Sequence, residues 1–139
     1  MSTMSTALRH DALGTVDAAT LSIDAQGIGS AASYPSSVPT NSSNYASIDL
    51  GAAISPGKKV WANFMPSDDL AGGTSLQYRI YGSSDNSTFV LVAQSNAIAL
   101  AGYAPYRMLV PPDCGYRYFQ LQVVSLGTHS AGSVTAWLN

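Results

Sequence analysis

The chain has 139 residues, 46% of them hydrophobic and only 10% charged, with a net charge of -2 and a pI near 5.3. That length suits one domain with a core of its own. A thinly charged, slightly acidic chain has no basic field to neutralise phosphates, no run approaches the roughly 20 apolar residues of a membrane span, and Met1 to Arg9 lacks the apolar stretch of a secretory signal; neither nucleic acid nor membrane is expected as a partner, and synthesis is expected in the cytoplasm.

The charged residues themselves point away from helices. All eight acids are Asp, there is no Glu, and Lys58 and Lys59 are the only lysines. Glu and Lys favour exposed helix faces, whereas Asp favours caps and turns. An all-β chain is the expectation.

Residues 1–46 are rich in Ser, Ala, Thr, Gly and Pro, and within them only Thr20 to Asp24 reads as a strand, with Ser30 to Ser37 the most loop-like stretch. Such a segment buries too little apolar area to fold alone, so an extended N-terminal arm of the same domain is expected there. From Ser47 to Asn139 short β-type runs alternate with turn residues at the spacing of a sandwich or barrel. Ile48 and Leu50 open this region. Between Lys58 and Met65, Val60, Ala62 and Phe64 share one face, and Trp61, Asn63 and Met65 the other.

Pro66 to Asp69 and Ala71 to Thr74 then break the pattern. Leu76, Tyr78 and Ile80 alternate with Gln77, Arg79 and Tyr81, and a polar turn from Gly82 to Thr88 leads into Phe89 to Ala93, which predicts a hairpin. Asn96 to Leu100 is a short apolar run, Gly102 to Pro105 a turn, and Tyr106 to Val110 a strand closed by Pro111-Pro112. Finally Phe119, Leu121 and Val123 alternate with Tyr118, Gln120 and Gln122, and Val134, Ala136 and Leu138 are expected to return as the second arm of a hairpin. Eight or nine strands result, enough for a jelly-roll-like antiparallel sandwich.

No catalytic, cofactor or metal site is expected. His10 lies in the arm and His129 in a Gly-Thr-His-Ser turn. Asp68-Asp69 and Asp85-Asn86 lack the alternate-position spacing of a calcium loop. Gly72-Gly73 is followed by no Lys-Ser/Thr of a phosphate loop and reads as a flexible connection. No Gly-x-Ser-x-Gly elbow exposes a serine, so a hydrolase would need His129 to meet a Ser and an Asp in space. The lone Cys114 excludes an intrachain disulfide, and the sequons at Asn41 and Asn86 are expected to stay unglycosylated in a cytoplasmic product.

The aromatics carry the stronger signal, because eight of the thirteen are Tyr. Tyr and Trp present a flat apolar body with a polar handle, a combination used at protein interfaces and on sugar-binding platforms. The candidate interface residues are Tyr34, Pro35 and Tyr45 in the arm, Trp61, Tyr81 and Tyr118 on the strands, and Tyr103 in a turn.

Several segments, in order, resemble the capsid cement or decoration proteins of tailed bacteriophages, of the Bordetella-phage type. They are Leu21 to Gln26, Ser47 to Gly51, Ala71 to Gln77, Ser84 to Phe89, Ala97-Ile98 before Ala101-Gly102, Arg117 to Phe119, and Gly132 to Ala136. The resemblance implies a virion protein without cofactor that self-associates as a homodimer or homotrimer. It would dock on the outer capsid surface and bridge neighbouring copies of the major capsid protein, with Leu8 to Tyr45 as the bridging arm.

Three segments, Ile48 to Gly51, Tyr78 to Phe89 and Arg117 to Leu121, also resemble the discoidin-type galactose-binding sandwich. The chain departs from that pattern in having Phe89 where a Trp is usual and in lacking the flanking cysteine pair. This alternative implies a carbohydrate-binding module.

Overall fold

The computed structural model describes residues 2–3, 21–29, 32–99 and 105–139, and no helix occurs among them. The described strands, in chain order, are β1 (Ser2–Thr3), β2 (Leu21–Gly27), β3 (Ala32–Tyr34), β4 (Ile48–Asp49), β5 (Trp61–Pro66), β6 (Ala71–Gly72) and β7 (Ser75–Ser83). They continue with β8 (Val90–Gln94), β9 (Ile98–Ala99), β10 (Tyr106–Leu109), β11 (Tyr118–Leu126), β12 (His129–Ala131) and β13 (Ser133–Leu138).

The fold is an antiparallel β-sandwich. One sheet runs β1-β4-β11-β7-β8, with β3 also paired to β11 and β9 to β7; the other runs β10-β5-β13-β2; and β12 with β6 forms a short ribbon. Its spine is the β7–β11 ladder, in register from Tyr118 opposite Ser83 to Leu126 opposite Ser75. Every pairing is antiparallel except that of β1 with β4.

Period-two alternation in the sequence becomes the core. Ala62 and Phe64 of β5 and Val134, Ala136 and Leu138 of β13 face Leu76, Tyr78 and Ile80 of β7 and Phe119, Leu121 and Val123 of β11, all buried. Across the two sheets the Phe64 ring stacks on Tyr78 with centroids 4.3 Å apart, and Tyr78 stacks in turn on Tyr106 at 5.5 Å. Burial pushes the Tyr78 hydroxyl's pKa upward, with Tyr106 adding to the effect.

Three expectations change. First, β11 and β13 form no hairpin: they belong to opposite sheets, and the chain crosses between them through β12, which pairs with β6. Gly132, at φ 120°, makes this crossing tight, since a Cβ there would lie 2.5 Å from Leu70 Cδ1. Gly72, expected in a flexible connection, is therefore held in the β6–β12 ribbon.

Second, the described part of the N-terminal region does not extend away from the sandwich. β2 pairs with β13, β3 pairs with β11, and Ile23 and Ile28 lie in the core. Third, Gln120 and Gln122, placed by alternation on the face opposite Phe119, Leu121 and Val123, are buried as well, by that same region. Gln122 Nε2 donates to the Pro35 carbonyl at 2.8 Å, and Gln120 Nε2 to Ser22 Oγ at 3.3 Å. Both faces of β11 are covered, which simple alternation does not reveal.

Candidate functional site

The interface residues read from the sequence do not form one patch. Pro35 is buried, and the Tyr34 hydroxyl accepts from the Gly29 amide at 3.2 Å. Tyr45 bridges to Ile23; burial, assisted by Tyr34, pushes its hydroxyl up to about 12. Tyr81 and Tyr118 are half-buried on the β7–β11 ladder, Trp61 lies on the other sheet, and Tyr103 falls outside the described residues.

One open surface of distinctive chemistry surrounds Trp61, on the outer face of the four-stranded sheet. Register sets Leu109 opposite Trp61 and Arg107 opposite Asn63 on β10, and Trp137 opposite Asn63 and Thr135 opposite Met65 on β13. Met65 is 39% exposed and Leu109 37%, while the Arg107 guanidinium lies 4.4 Å from the centre of the Trp61 ring. Asn63 Nδ2 donates to Asn139 Oδ1 at 2.7 Å, which ties β5 to the residue following β13. The result is an aromatic and aliphatic surface that carries the Arg107 charge. Met65 was readable by alternation from Trp61; Arg107 and Leu109 needed the β5–β10 register, which nothing local encodes.

The segments Ile48 to Gly51, Tyr78 to Phe89 and Arg117 to Leu121 converge at one end of the larger sheet. Tyr118 of β11 lies between Asp49 of β4 and Ser83 of β7. Arg117 forks onto Asp49, with Nε to Oδ1 at 2.6 Å and Nη2 to Oδ2 at 2.9 Å, and the Gly51 amide donates to the same Oδ1 at 2.8 Å. The guanidinium holds the Asp49 carboxyl below the usual carboxylate range, against the opposing effect of burial. Asp85 Oδ1 accepts from the Ser83 hydroxyl and the Ser87 and Thr88 amides, so it closes its own turn.

His129 meets a serine but no described acid. Its Nδ1 lies 2.6 Å from Ser125 Oγ, and that hydroxyl donates to the Gly29 carbonyl at 3.0 Å. The Ser125 hydroxyl thus stands between two partners, His129 Nδ1 and the Gly29 carbonyl, and the imidazole tautomer sets which group donates across the Ser125–His129 contact. Among the described residues no group of three or more His, Cys, Asp or Glu is placed to hold a metal ion. A shallow cleft of about 110 Å³ beside β2 is lined by Asp24, Ser42, Asn44 and Tyr45, well below the usual size of a small-molecule pocket.

No protein-family model matches this chain, and no curated protein matches it either.

Proposed function

We propose that this chain is a structural virion protein, a jelly-roll capsid decoration or cement protein. In this reading it docks on the outside of a tailed-phage icosahedral shell, stabilises contacts between neighbouring major capsid subunits, and self-associates. It is made in the host cytoplasm and ends on the capsid's outer surface.

The observation that carries this reading is the face around Trp61. Aromatic residues, Met and Arg are enriched at protein interfaces, whereas Lys, Glu and Asp are depleted. Trp61, Met65, Arg107 and Leu109 match that composition on the outer face of a sheet. A sugar-stacking platform needs a free ring face, and Arg107 lies over the Trp61 ring. Because residues 21–29 and 32–45 engage this chain's own sheets, bridging is assigned to the sandwich faces rather than to a reaching arm.

The test is co-sedimentation with expanded shells of the native phage that lack the protein. Wild type should pellet with the shells, and Met65→Asp combined with Leu109→Asp should weaken binding about tenfold or more with little change in thermal stability. Failure of wild type to bind, or unchanged binding by the double variant, would sink the proposal.

A second reading, a discoidin-like carbohydrate-binding module, draws support from the convergence of its three segments at Asp49, Tyr118 and Ser83. Glycan-array binding by the isolated protein would favour it over the first.

A further inference from the structure

The described cations differ in what they meet. Arg117 forks onto Asp49, the one ion pair among the described residues. Arg79 donates to the side-chain carbonyls of Gln122 and Gln77 at 3.2 and 3.3 Å. Lys58, Lys59 and Arg107 are exposed and pair with no described acid. These three gather at the start of β5: Lys58 and Lys59 lead into Trp61, and Arg107 lies over its ring. Asp68 and Asp69 follow the far end of β5, beyond Met65, and Asp113, in the turn after β10, stands in no ion pair with a described residue. In a chain of net charge -2, the Trp61 face is therefore locally cationic.

The Arg107 guanidinium lies 4.4 Å from the centre of the Trp61 ring, so the two cannot be covered separately. A partner that takes the ring out of water takes the guanidinium with it. An arginine cannot shed its charge by losing a proton, and an ionised guanidinium buried without a counter-charge is strongly unfavourable. Among the described residues none accepts a hydrogen bond from the Arg107 side chain. Its planar fork is thus open to a carboxylate, the group it matches in two parallel N–H bonds.

We infer that the partner docking on the Trp61 face is an acidic protein surface that sets an Asp or Glu carboxylate against Arg107. Lys58 and Lys59 steer that surface in from the rim, and Met65 and Leu109 take apolar cover beside the ion pair, which a phosphate backbone does not offer. A second copy of this chain fits the same face poorly, because a twofold contact there would bring two copies of one cationic face together. The inference rests on the proposed docking function and gives the chemistry of its partner.

Co-sedimentation with the same expanded shells tests it through charge instead of apolar area. Wild-type binding should weaken as sodium chloride is raised. Arg107→Gln, which keeps a planar amide but not the charge, should weaken binding about thirtyfold or more and flatten the salt dependence, whereas Arg107→Lys should retain that dependence. Both variants change an exposed side chain and should melt with wild type. Shells whose carboxylates are converted to amides with carbodiimide and glycinamide, and which still sediment as intact particles, should no longer retain the wild type. If Arg107→Gln binds as wild type does while Met65→Asp with Leu109→Asp is weakened, the inference is overturned and docking on this face stands. Undiminished binding to amidated shells overturns it too. A wild type that binds no shell removes the docking reading and this inference with it.

Discussion

Asp49 and Arg117 share two hydrogen bonds, 2.6 and 2.9 Å long, with the carboxylate buried and the guanidinium largely in solvent. The pair ties β4 to the start of β11, where backbone pairing spans only two residues. Its contribution depends on pH in a definite direction. Because the folded carboxyl titrates below its unfolded value of about 4, the stabilisation is present above that value and is lost as pH falls through the folded pKa. Wild type should lose melting temperature steeply on acidification below about pH 4, whereas Asp49→Asn should start lower at neutral pH and fall less. Calorimetry across that range decides; equal acid slopes for the two proteins would remove Asp49 as the source.

Ser22 fills the gap on β11 between its pairings with β4 and β3. Its Oγ accepts from the buried Leu121 amide at 3.0 Å and donates to the Ala46 carbonyl at 3.0 Å. Ser22→Ala leaves that amide without a partner, which should cost about 1–3 kcal/mol in urea unfolding. Ser22→Thr, which keeps the hydroxyl, should recover part of the loss.

Gly73 is constrained twice. Its φ is +67°, and a Cβ there would lie 2.4 Å from the His129 ring. Gly115, at φ +77°, has open space where a Cβ would go. Gly115→Ala should therefore show only the cost of the left-handed backbone, about 1–2 kcal/mol, while Gly73→Ala should be clearly worse because the buried imidazole must move. Equal losses in thermal melts would mean that His129 yields freely.

Phe64 contacts the opposite sheet through the Tyr78 ring. Phe64→Ala should destabilise by about 3–5 kcal/mol, and Phe64→Leu by much less, since it preserves most of the buried volume. Chemical denaturation measures both.

The all-β class was readable without coordinates because Asp-rich, Glu-free composition disfavours helices and period two is a local property of the chain. The core positions of β5, β7 and β11 followed from that same alternation. So did the β7–β8 hairpin, whose two strands are joined by a turn that the sequence itself contains.

What alternation cannot encode is which sheet a strand joins and what covers its second face. Val134 to Leu138 repeats the pattern of β11 equally well as a hairpin partner or as a strand of the opposing sheet; Gly132 pressed against Leu70 marks the crossing. Gln120 and Gln122 look like solvent residues until Ser22 and Pro35, nearly a hundred residues earlier in the chain, supply their hydrogen-bond partners. The candidate surfaces divide in the same way. Trp61 and Met65 were legible as neighbours on one strand face, but Arg107 and Leu109 joined them only through register. Sequence by itself determined the local period and the composition of each face, because those depend on adjacent residues. Tertiary structure decided which faces are covered and which edges remain open, because those depend on contacts between segments far apart in the chain.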